Sequence, residues 1–167
     1  DIKDFLMTIN KLFLFLSLSL LSANALAAVS DITGDTTCTI VSSLDKKETV
    51  DMPCHYEGSV GGSMSYAIQQ LSFQLANGKT LSTNNSSSFS LNDTGEMDIL
   101  NASITLDDQP AEVINLRSLT LKPVSQAEIN KRYETAEPDF SDTLYCFKPI
   151  KQDNAFCVPY ALIQEIS

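Results

Sequence analysis

Thr143–Tyr160 reads TLYCFKPIKQDNAFCVPY. Two short apolar runs flank a polar centre, and each run carries one cysteine. Folding the runs back so that Cys146 faces Cys157 sets Tyr145 beside Val158 and Phe147 beside Phe156. Side chains alternate faces along a strand, so this register puts the cystine on one face and the aromatic residues on the other. A covalent and a hydrophobic constraint thus select the same pairing, a cystine-closed β-hairpin on which the other strands must pack.

The cysteines number four in the whole chain, Cys38, Cys54, Cys146 and Cys157. Their spacings are too wide for the paired ligands of a structural zinc site, so no metal or other cofactor is expected. An even count behind an export signal reads as two disulfides. Local closure favours Cys38–Cys54 and Cys146–Cys157. In the first hairpin, placing Cys38 opposite Cys54 sets Ile40 against Met52 and Ser42 against Val50, around a turn at Asp45-Lys46-Lys47.

The export signal opens at Met7. Lys11 supplies a positive start, Leu12–Leu21 an apolar run, and Ala25-Leu26-Ala27 a small-x-small cleavage site. Because the numbering begins at Asp1, the expected true start is Met7. Residues 1–27 comprise upstream residues plus a cleaved leader, and 28–167 form a single exported β-rich domain. The apolar run is shorter than the roughly 20 residues that span a bilayer, so no stable membrane insertion is expected. No cysteine follows the cleavage point to carry a lipid. The expected destination is periplasmic or extracellular. Four Asn-x-Ser/Thr triplets, starting at Asn84, Asn85, Asn92 and Asn101, would accept glycans only in a eukaryotic secretory route. The scarcity of arginine and the compact leader incline the reading to a bacterial source.

Between the hairpins, short apolar-alternating runs recur with turn residues between them. Ala28–Thr36 reads as a loose lead-in and Gly58–Gly62 as a flexible loop. The run to Leu75 reads as a strand with a bulge near Gln69-Gln70, ending at the Asn77-Gly78 hairpin signal. Asn84–Ser87 reads as a solvated loop, and Asp93-Thr94-Gly95 and Asp107–Pro110 as turns. Ser125-Gln126-Ala127-Glu128 is a capping box that starts one short helix, running to about Tyr133. The sum is a mainly β, antiparallel sandwich or small barrel with one short helix.

The formal net charge is −10, with 21 acidic against 11 basic side chains. Nucleic acid and anionic membrane surfaces call for clusters of Lys and Arg, so neither is an expected partner; a basic protein is. His55 is the single histidine, which excludes a two-histidine metal site and makes any Ser-His-Asp arrangement depend on it alone. Asp93-Thr94-Gly95 matches the aspartic-protease tripeptide, but it sits between Asn92 and Glu96 in an acidic turn rather than in the apolar loop such a dyad needs. With no nucleophile elbow, phosphate loop or ligand cluster, the expected function is a non-catalytic binding or inhibitory module contacting a protein partner. Its expected contact loop is Gly58–Tyr66, with Ser63, Ser65 and Tyr66 presenting hydrogen bonds and an aromatic surface. A small secreted hydrolase using His55, and a structural or surface-assembly protein, are the alternatives.

Overall fold

The computed structural model describes residues 28–63, 65–94 and 96–166. The expected leader, with Met7 and its cleavage motif, lies outside the described residues, as do Met64, Gly95 and Ser167. Eight antiparallel strands follow one another around a closed barrel. They are β1 (Ala28–Ser43), β2 (Glu48–Gly62), β3 (Tyr66–Leu75), β4 (Thr80–Leu91), β5 (Met97–Leu106), β6 (Gln109–Arg117), β7 (Thr143–Pro149) and β8 (Ala155–Pro159). Helix α1 (Gln126–Tyr133) interrupts the meander between β6 and β7, and α2 (Tyr160–Ile166) follows β8. Of the two expected architectures, the barrel is the one adopted. It closes where Thr39, Ile40 and Val41 of β1 pair with Cys157, Phe156 and Ala155 of β8.

The β7–β8 hairpin has the register its sequence dictates, Cys146 opposite Cys157 and Phe147 opposite Phe156. Both its faces are buried. The inward face adds Phe147, Phe156 and Val158 to the main core with Tyr56, Leu71 and Phe73, and the Phe73 and Phe156 rings meet edge to face at 4.9 Å. The outward face puts the Cys146–Cys157 cystine in a second cluster with Val41, Leu116, Leu144 and Ala155, flanked by Leu44 and Leu121. The other disulfide, Cys38–Cys54, lies in the main core. One cystine therefore stiffens the barrel from inside and the other from outside. Peptide mapping of the non-reduced protein is expected to return these two linkages; a Cys38–Cys157 or Cys54–Cys146 peptide would overturn the architecture.

Several local expectations give way to longer strands. In β1–β2, Cys38 pairs with Met52 and Cys54 with Thr36, so the disulfide bridges a diagonal of the ladder and Ile40 faces Val50. Diagonal positions two residues apart share a face, which is why the cystine forms despite the two-residue shift. Ala28–Thr36 is no lead-in but the first half of β1, paired without a break to Glu57–Gly62 and beyond. Gly58–Gly62 is no loop: it is the end of β2, hydrogen-bonded between β1 and β3. A Cβ on Gly58 would stand 1.9 Å from the Gln70 carbonyl oxygen, so the glycine serves close backbone approach within the sheet. Asn84–Ser87 is likewise mid-strand in β4, between β3 and β5. The expected bulge at Gln69-Gln70 is absent from an unbroken β3 ladder; the irregularities lie at Val41/Ser43 and Ser88/Phe89.

The N-cap half of the expected capping box forms, with Ser125 Oγ accepting from the Glu128 amide at 3.2 Å. The Glu128 carboxylate turns away from the cap to Arg117 and Arg132, and both arginines also hold Asp142, which ties α1 to the ends of β6 and β7. Ser125→Ala is expected to destabilise by about 1 kcal/mol, read from the shift of a thermal midpoint.

Among the described residues no helix is long and apolar enough to cross a membrane. The outward positions of β1 and β2 carry Asp31, Asp35, Asp51, His55 and Glu57, all exposed, while the inward positions are mostly apolar.

Candidate functional site

The barrel's seams are unequal. β6 pairs with β7 over seven residues, whereas β5 meets β6 only at Thr105–Pro110 and Leu106–Gln109. The Asp107-Asp108 turn between them has both residues at positive φ, 49° and 62°, the conformation of a tight two-residue hairpin. Beyond this turn the β5–β6 pairing stops, and further along β6 acquires another partner. The chain after β6 folds back so that Arg117 N–H donates to the Lys122 carbonyl and Val124 N–H to the Asn115 carbonyl, with Leu116 bridging Pro123. The edge β6 would offer to β5 is thus occupied at Asn115–Arg117. Among the described residues no pairing extends along Met97–Ile104 on that side.

The free stretch of β5 continues into the β4–β5 hairpin, whose end carries an apolar surface. Leu91 is 56 %, Met97 54 %, Ile99 69 % and Leu100 66 % exposed. Leu91 pairs with Met97 and Phe89 with Ile99, so Phe89, Leu91, Met97 and Ile99 share one face of the hairpin, with Leu100 at the adjoining bulge. Asp93, Glu96 and Asp98 surround this apolar end. Asn92 Oδ1 accepts from the Thr94 and Glu96 amides, so Asp93-Thr94 is a side-chain-capped turn and its carboxylate is not the buried acid of a protease dyad.

The three residues expected to form a contact loop lie at the foot of this hairpin. Ser63 and Ser65 hydrogen-bond each other through their hydroxyls at 3.0 Å, and the Ser65 carbonyl accepts from the Phe89 amide at 2.8 Å. Tyr66 starts β3 opposite Ser88 and, with Asn101 and Ser103, lines a recess of about 200 Å³. The structure therefore brings Ser63, Ser65 and Tyr66 together beside β5, though on a loop shorter than Gly58–Tyr66.

Two larger hollows are present among the described residues. One, about 690 Å³, opens into the barrel between β1, β2, β3, β4 and α2. Asn85 Nδ2 donates to Tyr145 Oη there at 3.2 Å. The other, also about 690 Å³, is a groove across the outside of β1–β4 with the Asp31, Glu57 and Asp108 carboxylates on its walls and no lysine or arginine among its lining residues.

Burial pushes the Tyr145 phenol above its ordinary value, against a smaller opposing effect of the Asn85 hydrogen bond. Burial does the same to Tyr160, helped by its contact with the Tyr133 hydroxyl. A phenol held neutral in the fold but free to ionise when unfolded leaves stability intact below the unfolded value of 10.0 and erodes it above. Denaturation is therefore expected to steepen as pH rises past that value, and less so in Tyr145→Phe.

His55 lies on the outer face of β2. Its Nδ1 is 2.8 Å from Asp35 Oδ1 and its Nε2 3.1 Å from Thr33 Oγ1, in a row of cross-strand neighbours. The His55 and Asp35 side chains are 48 % and 89 % exposed. The imidazole thus has a carboxylate and a hydroxyl in reach, but on an open sheet rather than at a cleft floor. Among the described residues no cluster of three or more His, Cys, Asp or Glu could hold a metal.

Comparison with known proteins returns no matching family model, no matching curated protein and no matching solved structure. The two disulfides are of the kind typical of exported proteins. Sequence reasoning missed two parts of this end of the barrel. The free β5 edge depends on where the chain after β6 returns, which no local pattern encodes. Helix α2 did leave a signal: Leu162, Ile163 and Ile166 have helical spacing and are all buried.

Proposed function

We propose that this protein is an exported, non-catalytic binding or inhibitory module, acting in the periplasm or outside the cell on a basic protein partner. The observation that carries the reading is the unpaired edge of β5 beside the exposed apolar end of the β4–β5 hairpin. Leu106 and Gln109 close a two-residue turn, so Leu106 directs its backbone groups toward β6, and by alternation Ile104 and Ala102 direct theirs to the same side. Those groups offer hydrogen bonds to an added strand, and Met97, Ile99 and Leu100 offer apolar surface. The acidic groups around the hairpin, together with the net charge of −10, favour a cationic strand over a second copy of this chain. Ser63, Ser65 and Tyr66 form the adjoining rim.

The test is capture of partners from periplasm and from host secretions at low and high ionic strength, followed by kinetics with whatever is retained. Basic partners are expected, with association slowed by salt. Ala102→Pro, which removes an edge N–H, and the triple alanine replacement of Ser63, Ser65 and Tyr66 are each expected to weaken binding. Only neutral or acidic partners, or on-rates indifferent to salt, would remove the electrostatic part; binding that survives Ala102→Pro would remove the edge.

A hydrolytic reading has one observation behind it, the Asp35–His55–Thr33 row. It calls for a threonine hydroxyl activated on a solvent-washed sheet, where water competes for each hydrogen bond. Ester hydrolysis by the purified protein that disappears in both His55→Ala and Thr33→Val would restore it over the binding reading.

A further inference from the structure

The hollow at the barrel mouth differs in kind from the outer groove and from the β5 edge. It is walled by inward-facing side chains, and an eight-stranded barrel has an interior of the size that holds one small ligand. Its volume of about 690 Å³ falls in the range of small-molecule sites. Ile32 and Val60 of the sheet and Ile163 and Ile166 of α2 supply apolar walls. Deeper in the sheet, Asn85 and Tyr145 supply a polar pair. Asn85 donates to the phenol oxygen, so the phenolic hydrogen remains to be donated. The charged residue among the lining is Glu165, exposed at the rim; no lysine or arginine accompanies it.

We propose that the barrel mouth binds a small uncharged or cationic amphiphile, its apolar body against Ile32, Val60, Ile163 and Ile166, with a hydroxyl or carbonyl oxygen on Tyr145 or an ammonium toward Glu165. An anionic amphiphile such as a fatty acid is disfavoured, because no lysine or arginine lines the site to receive its carboxylate and Glu165 at the rim adds like charge. The ligand class thus follows from charge, and the shape from the burial pattern. The site is separate from the β5 edge, so its failure would leave the protein-binding reading standing.

The test uses the mature domain, residues 28–167, with N-phenyl-1-naphthylamine as a neutral fluorescent probe and dodecanol, dodecylamine and dodecanoate as competitors at neutral pH. Saturable one-to-one probe binding is expected, with displacement by dodecanol and dodecylamine and at least about tenfold weaker displacement by dodecanoate. Ala67→Trp, at an exposed lining position, is expected to reduce probe affinity by about tenfold or more while circular dichroism stays unchanged. Tyr145→Phe is expected to weaken dodecanol by about fivefold through loss of one hydrogen bond. Should Ala67→Trp fail to fold, Ser87→Phe at the same mouth takes its place. Absence of saturable binding, equal displacement by dodecanoate, or probe binding that survives mouth filling would each overturn the proposal. So would loss of probe binding in Ile99→Asp, which would put the probe on the β4–β5 hairpin.

Discussion

Phe147→Ala is expected to lower the free energy of unfolding by about 3 to 5 kcal/mol, the range for truncating a buried aromatic side chain. The ring is fully buried, faces Phe156 across the β7–β8 ladder, and touches Tyr145 edge to face at 5.4 Å. Neighbouring strands are tied by backbone ladders and cannot collapse into the space the ring leaves. The control is one residue away. Lys148 points outward, 22 % exposed, and pairs with Glu112 at 2.9 Å; a surface ion pair of this kind contributes well under about 1 kcal/mol. Urea melts of the two variants should therefore separate widely, and equal losses would mean that the strand faces are assigned wrongly.

Gly58→Ala is the second large effect. The new methyl would lie 1.9 Å from the Gln70 carbonyl oxygen and 2.9 Å from the Leu71 Cα. Both obstacles are backbone, so no rotamer change relieves the clash and the β2–β3 ladder must spread. A loss of about 3 kcal/mol or more is expected, at the upper end of overpacking costs. Gly78 gives the contrast: it sits in the β3–β4 turn at φ +84° with nothing within 4 Å of a built Cβ. There an alanine meets only the backbone preference, at about 1 kcal/mol. Denaturant midpoints for the two variants should thus rank Gly58→Ala well below Gly78→Ala. The reverse order would mean that Gly58 belongs to a pliant loop.

The same glycine shows what was legible in the sequence and what was not. Gly-Ser-Val-Gly-Gly has loop composition, and nothing local says that another strand's carbonyl occupies the place of a side chain. Asn84–Ser87 misleads for a related reason. Asn85 and Ser87 are polar because they line the barrel mouth, so the apolar alternation that announces a strand is missing where the strand reaches a hollow. The β7–β8 hairpin was legible because two constraints fall on one register. The β1–β2 hairpin was only partly so: a cystine fixes which residues are near but not whether they face directly or diagonally. Of the candidate contact residues, Ser63, Ser65 and Tyr66 could be named from composition. That they adjoin an unpaired edge depends on the chain returning to β6 at Lys122–Val124, and no short pattern carries that information.

The disulfides also bear on the order of events during folding. Each cystine joins residues 16 or 11 apart within one hairpin, and neither crosses the β1–β8 closure. Both can therefore oxidise in chains whose barrel is still open. Joining Thr39 to Cys157 requires ordering nearly the whole domain between them, a loop-closure cost that local hairpins do not incur. Ring closure is then the late step, taken by two hairpins that are already covalently set. A chain stalled before it would present the unpaired sides of β1 and β8, correctly oxidised yet prone to stick to its neighbours.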